Sequence, residues 1–385
     1  MENRKLKIIR AVTVSQSVGF YLPLVPDLQS RNYEVVSLSS PGPELEALRA
    51  KGVRCIEMPM ERHISIGKDL VALWSIIKVF RKEKPGIVHS MTPKAGMLCM
   101  LAAWICRVPV RIHTFTGLVW PTATGWKRKI LMATDKLTCA CATHIIPEGK
   151  GVMNDLNNHI THKPMRVLGY GNVRGVDLKH FARTKEVMEE AKKIANKDVF
   201  TFVFIGRIVK DKGINELVAA FKRLQAKTSK VRLVLVGEFE DKLDPISDEA
   251  RREIGENPHI LAVGKQKDVR PWLAASDALV FPSYREGFPN VVIEAGAMDL
   301  PAIVTDINGS REIIQDGVNG LVVPSKNEDA LFQEMDKFVN DPNLVSYLGS
   351  NARRLVASRY EQGYVKKCLL DFYAEIIKEK FGSFE

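Results

Sequence analysis

The sequence contains no apolar stretch long enough to cross a bilayer. Its longest uninterrupted run, residues 97–106, ends at Arg107 after ten residues, whereas a spanning helix needs about 18. The N-terminal segment MENRKLKIIRAVTV carries charges and has no apolar region that ends in small residues. We interpret it as a first strand and not as a signal peptide, and we expect a cytoplasmic protein.

Patterns typical of metal sites and disulfides are also missing. The six cysteines include no C-x-x-C pair, and no two aspartates occur at D-x-D spacing, a usual means of holding a divalent cation on a diphosphate. His89, His113 and His144 follow or end apolar segments, where core or loop histidines are common. We therefore predict buried thiols in a reducing compartment, no metal and no bound cofactor.

Excess positive charge is confined to the first part of the chain. Residues 1–170 hold 24 Lys and Arg against 12 Asp and Glu, a balance of +12, whereas the remainder holds 32 against 33. Such a field favours an anionic partner, which is nucleic acid, a membrane surface or a phosphate-bearing substrate. Because no helix-turn-helix, zinc finger or RNP-like aromatic strand accompanies the charge, we expect no nucleic acid.

Apolar segments and helical patterns alternate along the whole chain. A length of 385 residues suits two domains, and the alternation predicts an α/β fold of two doubly wound, Rossmann-like domains. We place them at residues 1–170 and 171–360, joined through a glycine-containing linker within 165–182. The predicted strands are Leu6–Val14, Glu34–Leu38, Val53–Met58, Ile87–Ser90, Val110–Phe115, His144–Pro147, Phe200–Ile205, Val231–Val236, Ile260–Val263, Ala278–Phe281, Ala302–Thr305 and Leu321–Val323.

One segment, residues 277–299, combines a predicted buried strand, a polar loop and a helix start. It reads DALVFPSYREGFPNVVIEAGAMD. The apolar run before Pro282 predicts a parallel strand, and Asn290 predicts an N-cap. Glu286 on the loop and Glu294 in the helix are explained most simply as acids that complement a helix dipole. In open α/β sheets, however, this edge of the sheet is also where phosphate ligands bind.

Basic residues follow another predicted strand. After the apolar residues 200–205 come Gly206 and Arg207, then Lys212 and Gly213 before a helix. Isolated cations are common on any surface, but cations between a strand and a helix, beside glycines that admit a ligand to the backbone, suit a diphosphate. We therefore predict that Arg207 and Lys212 bind an anionic ligand.

Together these segments carry a family resemblance. GRIVKDKG, followed some seventy residues later by FPSYREGFPNVVIEA, resembles the nucleotide-sugar signature of family 4 retaining glycosyltransferases, enzymes of the GT-B fold with two domains facing across a cleft. The resemblance implies that the last helix, in residues 361–385, packs back on the first domain. It also implies the site residues of the donor side: Arg207 and Lys212 on the diphosphate, Glu294 on the ribose, Glu286 on the transferred sugar, the backbone of Gly287, Phe288 and Pro289 along the sugar, and the helix start at Asn290 facing the phosphates.

The same resemblance implies a function. The donor is a nucleotide sugar, expected to be a UDP-sugar, and the transfer of a hexose or N-acetylhexosamine retains the anomeric configuration. The acceptor implied by likeness to bacterial capsule and glycan-assembly transferases is a polyprenyl-diphosphate-linked saccharide. Alternatives are an epimerase or phosphorylase on the same fold, a transferase that acts on a soluble acceptor, and a sugar-binding protein without catalysis.

Two loops of the first half differ from the family pattern. Gly19 is the single glycine after the first strand, where relatives have a more glycine-rich turn, and the resemblance places it at the donor phosphate and the acceptor. Thr116 and Gly117 align with a His-Gly pair on the acceptor side. Either Thr116 or His113 therefore stands for the usual histidine near the transferred sugar.

Two segments of the first half combine basic and aromatic residues. The pattern of residues 69–84 predicts an amphipathic helix whose core face contains Leu70, Leu73, Trp74, Ile77 and Phe80, and a membrane-surface helix is the alternative. Residues 117–136 add Trp120, and Trp126 followed by Lys127, Arg128 and Lys129. Aromatic and basic side chains together are suited to an anionic membrane surface, so we predict peripheral docking.

Overall fold

The computed structural model describes residues 5–61, 65–240 and 244–382. The chain divides into two compact units, one formed by Met1–Arg174 with Gly363–Glu385 and the other by Gly175–Gln362. Each unit contains one six-stranded sheet whose strands pair in parallel. The predicted α/β class with two Rossmann-like domains is confirmed.

The N-terminal unit contains the first six strands and the first six helices. The strands are β1 (Leu6–Ala11), β2 (Tyr33–Ser39), β3 (Arg54–Glu57), β4 (Ile87–Met91), β5 (Val110–Phe115) and β6 (His144–Pro147). The helices are α1 (Val25–Ser30), α2 (Leu45–Arg49), α3 (Ile66–Glu83), α4 (Pro93–Ile105), α5 (Gly125–Cys141) and α6 (Lys150–His159). The strand order β3-β2-β1-β4-β5-β6 reverses direction between β1 and β4.

The C-terminal unit repeats this topology. Its strands are β7 (Phe200–Ile205), β8 (Val231–Val236), β9 (Ile260–Ala262), β10 (Ala278–Phe281), β11 (Ala302–Thr305) and β12 (Gly320–Val323). Its helices are α7 (Lys185–Ile194), α8 (Ile214–Lys227), α9 (Asp248–Glu256), α10 (Arg270–Ala274), α11 (Asn290–Ala297), α12 (Ser310–Ile313), α13 (Glu328–Asn340) and α14 (Pro342–Arg359). The order β12-β11-β10-β7-β8-β9 reverses between β7 and β10.

Burial on both faces explains why the strands are continuous apolar runs. Ile8 and Ile9 are neighbours in β1, yet they belong to different core clusters because successive side chains point to opposite faces of a sheet. In the C-terminal unit, Phe202, Val203 and Phe204 of β7 are all fully buried. A parallel sheet with helices on both faces requires this pattern.

The last helix, α15 (Gln362–Phe381), contributes most of its length to the N-terminal unit. Its buried residue Tyr373 reaches the interior of the N-terminal sheet, where its hydroxyl accepts a hydrogen bond from Arg10 Nη1 at 2.5 Å. The same hydroxyl lies 2.5 Å from Nδ1 of His89. Burial and the nearby Arg10 hold the pKa of His89 well below its usual range, so this histidine is a neutral core residue.

The structure differs from the sequence expectations in the extent of β1, in helix α14 and at the start of α11. β1 ends at Ala11 instead of Val14, because residues 15–20 form a 3-10 helix. Helix α14 was not predicted. Asn290 is the first residue of α11, and Pro289 occupies the N-cap position without a side-chain hydrogen bond, so the predicted Asn290 cap is wrong.

Candidate functional site

The predicted donor residues collect at one edge of the C-terminal sheet. Arg207 and Lys212 follow β7, whereas Glu286 follows β10, and these two strands are neighbours in the sheet. The strand order reverses between them. In an open α/β sheet, ligands bind outside the carboxyl ends of the strands at such a reversal point. The topology therefore places these side chains where the fold offers a binding crevice.

A glycine turn brings the two loops into contact. Gly213 has a φ of +70°, a left-handed conformation that favours glycine. A Cβ at this position would lie 2.1 Å from the carbonyl oxygen of Pro282, the residue after β10. The turn that carries Lys212 therefore lies directly against the end of β10, and a larger residue at 213 would push the two loops apart.

The ammonium of Lys212 forms an ion pair with Oε1 of Glu286, although the two residues are 74 positions apart in the sequence. Each side chain is 16% exposed. Glu286 Oε1 also accepts a hydrogen bond from the hydroxyl of Ser283 at 2.8 Å, and Ser283 is completely buried. The site thus holds a cation and a carboxylate side by side in a partly desolvated position.

Further contacts join the loop of Lys212 to the loop of Glu286. The carbonyl of Asp211 accepts a hydrogen bond from the backbone N–H of Tyr284 at 2.8 Å, and its carboxylate lies 3.0 Å from Nε of Arg285. The Tyr284 hydroxyl donates to the carboxylate of Glu216 in α8, at 2.6 and 2.7 Å to the two oxygens. Burial, reinforced by Glu216, raises the pKa of Tyr284, so this phenol remains a donor. The two loops are therefore fixed to each other by backbone and side-chain bonds.

Arg207 lies at the same sheet edge but has a different partner. Its Nη1 atom is 2.6 Å from Oε2 of Glu240, and 48% of its side chain is exposed. An exposed ion pair contributes little to stability because water screens both charges. Arg207 can therefore exchange this carboxylate for an anionic ligand at low cost.

The segment from Gly287 to Pro289 is buried against the neighbouring loop. Phe288 packs its ring against Tyr360, with 5.5 Å between the ring centroids, so its side chain belongs to the core. Gly309, with a φ of +75°, approaches so closely that a Cβ there would lie 2.4 Å from the carbonyl oxygen of Gly287. Any contact with a ligand in this segment must therefore come from backbone groups. Glu294 lies one turn into α11 and is partly exposed.

Thr116 and His113, the two candidates for the position near the transferred sugar, differ in their exposure to solvent. His113 is 1% exposed, its Nδ1 atom lies 2.8 Å from the Ser90 hydroxyl, and burial lowers its pKa to about 3. It is a neutral histidine of the core. Thr116 and Gly117 follow β5 and are partly exposed. Of the two candidates, Thr116 is the accessible one.

Gly19 lies in the 3-10 helix after β1 and has no positive φ. A Cβ added to Gly19 would meet no other atom within 4 Å. The fold of the described residues therefore does not require glycine at this position, and open space remains in front of its backbone.

Helices α3, α4 and α5 form a surface rich in exposed tryptophan. α3 packs on α4, and α4 packs on α5. Trp74 of α3 is 59% exposed, Trp104 of α4 is 57% exposed and Trp126 of α5 is 78% exposed. We call the exposed large apolar residues of these helices the tryptophan surface; its members are Leu70, Val71, Trp74, Trp104, Ile105, Trp126, Ile130 and Leu137. None of the helices in the described ranges is long and apolar enough to cross a membrane.

The rotation of α3 differs from the sequence expectation. Ala72, Ile76 and Phe80 form its buried face, whereas Leu70 and Trp74, predicted in the core, are exposed. The ammonium of Lys78 lies 3.1 Å from the centroid of the Trp74 ring, and that of Lys129 lies 4.9 Å from the ring of Trp126. Trp74 and Trp126 of the tryptophan surface therefore each have an ammonium group over the ring.

The comparisons with known proteins identify the family of the chain. Residues 187–355 match the family model "Glycosyl transferases group 1", and residues 22–171 match "Glycosyl transferase 4-like domain". The capsular polysaccharide biosynthesis glycosyltransferase CapM of Staphylococcus aureus is 33% identical over 384 residues, covering 99% of this chain and 100% of the relative. The chain belongs to the group 1 glycosyltransferases. This glycosyltransferase is thus an enzyme, as the sequence predicted.

Two further similarities concern specific relatives. The Escherichia coli UDP-Gal:alpha-D-GlcNAc-diphosphoundecaprenol alpha-1,3-galactosyltransferase is 26% identical over 326 residues, 83% of each chain. The structure of Anabaena Alr3699/HepE in complex with UDP-glucose superposes with a TM-score of 0.80 at 15% identity, covering 96% of this chain and 99% of that one. The two Rossmann-like units are those of the GT-B fold, which confirms the predicted fold of this glycosyltransferase.

Sequence reasoning missed two features of the site and its surroundings. Ser283 directly follows Pro282, yet nothing in its spacing indicates that its hydroxyl contacts Glu286. Trp104 and Ile105 end an apolar helix and were counted within an apolar run, although they are exposed. The exposure of Trp104 and Ile105 could have been inferred only from their position at the end of an apolar run, where a helix terminates.

Within the ranges that the structure describes, no three His, Cys, Asp or Glu side chains lie close enough together to form a metal site.

Proposed function

We propose that this glycosyltransferase transfers a hexose or N-acetylhexosamine from a UDP-sugar to a polyprenyl-diphosphate-linked saccharide, with retention at the anomeric carbon, during capsule or glycan assembly. The observation that carries the proposal is the Lys212–Glu286 pair at the carboxyl edge of the sheet. The named functions of the Staphylococcus aureus and Escherichia coli relatives support the acceptor and the pathway class.

In this proposal the cation and the carboxylate act on different parts of the donor. Lys212 and Arg207 bind the diphosphate, since two cations at a strand end match its charge. Glu286 accepts hydrogen bonds from hydroxyls of the transferred sugar, and Glu294 accepts those of the ribose. The N-terminus of α11 at Asn290 faces the phosphates, because the dipole of a helix favours an anion at its N-terminus.

The proposed chemistry breaks the bond between the anomeric carbon and the β-phosphate oxygen of UDP. The acceptor hydroxyl oxygen forms a new bond to the same face of that carbon, and its proton passes to the departing phosphate. Negative charge that develops on UDP is stabilised by Lys212 and Arg207, which act as preorganised charges. This route requires no covalent glycosyl-enzyme intermediate.

For the N-terminal unit, the sequence assignments become proposals. The open space in front of Gly19 is compatible with a phosphate that approaches its backbone. The exposure of Thr116 and Gly117 is compatible with an acceptor contact. Neither loop contains an exposed histidine at the position where we expect relatives to have one. The acceptor-side contact proposed here therefore uses the hydroxyl of Thr116 and the backbone of Gly117.

We further propose that the enzyme docks on the inner face of the cell membrane through the tryptophan surface. Tryptophan rings suit the headgroup level of a bilayer, and nearby cations add about 1 kcal/mol each at an anionic surface. Lys127, Arg128 and Lys129 in α5 lie beside Trp126. The +12 charge balance of residues 1–170 supplies the long-range attraction.

The transfer reaction is tested with a panel of donors and two acceptors. UDP-glucose, UDP-galactose and their N-acetylamino counterparts are each incubated with undecaprenyl-diphosphate-linked N-acetylglucosamine and with free N-acetylglucosamine, and NMR reports the anomeric configuration of the product. We expect one donor to react with the lipid-linked acceptor and to retain its configuration. Transfer to the free sugar at the same rate would contradict the lipid-linked acceptor, and inversion would contradict the mechanism.

Docking is tested by charge reversal. Lys127, Arg128 and Lys129 changed together to Glu should release the protein from vesicles containing phosphatidylglycerol at low salt, while the affinity for UDP stays unchanged. The matched control is the triple reversal of Lys192, Lys193 and Lys197, three exposed cations of the C-terminal unit that should leave vesicle binding unaltered. Equal release by both variants would indicate that net charge alone governs binding.

A further inference from the structure

Ser283 presents one hydroxyl proton to three acceptors. Its Oγ atom lies 2.8 Å from Glu286 Oε1, 3.2 Å from the Arg285 carbonyl oxygen and 3.3 Å from the Asp211 carbonyl oxygen. A hydroxyl donates once, and a hydrogen bond to an ionised acceptor is about twice as strong as one to a neutral acceptor. The shortest contact is also the one to the charged group, so the proton is directed to Glu286.

Both contacts of the Glu286 carboxylate fall on the same oxygen. Oε1 accepts from Ser283 and from Lys212, whereas no hydrogen bond from any residue in the described part of the chain reaches Oε2. A carboxylate held by two donors on one oxygen has a defined orientation. The second oxygen therefore remains available to accept hydrogen bonds from a ligand.

The donor itself is held in place. Ser283 is completely buried, and its carbonyl accepts a hydrogen bond from the Thr305 hydroxyl at the end of the neighbouring strand β11. Thr305 is also buried, at 2% exposure. A buried hydroxyl on a backbone that is fixed by another strand cannot reorient freely. Its hydrogen bond therefore restricts the orientation of the Glu286 side chain.

We propose that Ser283 is a positioning residue that orients Glu286 so that Oε2 faces the hydroxyls of the transferred sugar. The inference rests on the proposed function, because it requires that Glu286 contacts the sugar and not the nucleotide. It predicts that loss of the Ser283 hydroxyl lowers the rate of sugar transfer and leaves the affinity for UDP unchanged.

The test compares Ser283→Ala with Ser276→Ala. Each variant removes one buried serine hydroxyl next to β10, but the Ser276 hydroxyl donates to the Trp272 carbonyl at 2.8 Å, and only Ser283 contacts Glu286. With the best UDP-sugar from the four-donor panel, we expect kcat/KM of Ser283→Ala to fall about 10- to 100-fold, since a hydrogen bond to a charged group is lost. Calorimetry should give a Kd for UDP within about 3-fold of the wild type. Ser276→Ala should lower Tm, yet keep kcat/KM within about 3-fold.

A double-mutant cycle with Glu286→Ala, which removes the acceptor of the Ser283 hydrogen bond, separates the positioning role from a structural one. If Ser283 acts through Glu286, Ser283→Ala should change kcat/KM little in the Glu286→Ala background. If Ser283→Ala does not fold, Ser283→Cys, which keeps a weak and longer donor, should show the same contrast between the sugar-dependent rate and UDP affinity.

Two results overturn the inference alone: an equal loss of UDP affinity and of kcat/KM in Ser283→Ala, or additive effects in the cycle. A wild-type enzyme that turns over none of the four donors overturns the proposed donor, and the inference with it. A wild-type enzyme that is active, with Glu286→Gln at full rate, refutes the sugar contact of Glu286 and leaves the diphosphate assignment standing. These outcomes distinguish failure of the inference from failure of the proposed function.

Discussion

Removal of the Lys212 charge is the most direct test of the candidate site. Lys212→Met keeps most of the apolar part of the side chain and deletes the ammonium. In the wild type this ammonium pairs with Glu286 and lies 5.3 Å from the centroid of the Phe281 ring. If this charge stabilises the departing diphosphate, kcat/KM should fall about 10²- to 10³-fold, which corresponds to roughly 2.7–4 kcal/mol of transition-state stabilisation.

The same substitution has a smaller expected effect on stability. Each member of the pair is 16% exposed, so the pair is neither a surface ion pair, worth up to about 1 kcal/mol, nor a fully buried one, whose disruption costs about 3–5 kcal/mol. We expect the free energy of unfolding to fall by about 1–3 kcal/mol, since Glu286 keeps the Ser283 hydrogen bond. The double variant Lys212→Met/Glu286→Gln should recover part of this loss, because no unpaired charge remains.

The assay combines urea unfolding with initial rates on the best donor of the panel. Lys222→Met is the matched control: Lys222 lies on the same helix α8 that follows the Lys212 turn, and its ammonium is 3.2 Å from Glu253. This control should keep its rate within about 3-fold of the wild type, as an exposed ion pair is worth little. A rate for Lys212→Met that matches that of Lys222→Met would refute the assignment of Lys212 to the diphosphate.

Three further predictions concern single residues. Glu294→Gln should weaken UDP binding in calorimetry as well as slow transfer, because a ribose contact exists in the ground state and the transition state alike; unchanged UDP affinity would contradict it. Gly213→Ala should lower the free energy of unfolding by on the order of 2 kcal/mol or more. The reason is that residue 213 has a left-handed φ and that its Cβ would lie 2.1 Å from the Pro282 oxygen. An unaltered melting curve would show that the turn rearranges. Burial raises the pKa of Asp135 to about 7, so the folded state keeps a proton that the unfolded chain loses near pH 4, and stability should fall as pH rises from about 4 to about 7. Urea unfolding of Asp135→Asn should lack this part of the pH dependence, and identical profiles for the two proteins would refute the assignment.

Much of the fold is readable in the sequence because the strands are buried on both faces. Parallel strands in this environment are short apolar runs that Pro, Gly and polar loops interrupt, and six of the twelve strands have the predicted bounds, five of which are Val110–Phe115, His144–Pro147, Phe200–Ile205, Val231–Val236 and Ala278–Phe281. Ala302–Thr305 also agrees. The motifs around Lys212 and Glu286 identified the family because their glycines, cations and acids occur at strand ends in order along the chain.

Sequence patterns predicted the amphipathic character of α3 but not its rotation. Apolar residues occupy more than one stripe of this helix, so periodicity allowed a core face containing Leu70 and Trp74. In the structure the face with Ala72, Ile76 and Phe80 is buried. Packing against α4 and the sheet selects the stripe that fits the available space, and this selection depends on residues that lie far from α3 in the sequence.

The sequence by itself determined the class of fold and the family, and it predicted the side chains of the donor site, since each of these depends on local order and composition. The tertiary structure decided which of those side chains meet. Lys212 contacts Glu286 because β7 and β10 are neighbours and Gly213 lies against Pro282. Ser283 reaches the same carboxylate, whereas His113 is buried beside Ser90 and is removed from the surface. Contacts of this kind depend on distances of a few ångströms between segments that are distant in the chain, and no local pattern of residues specifies such distances.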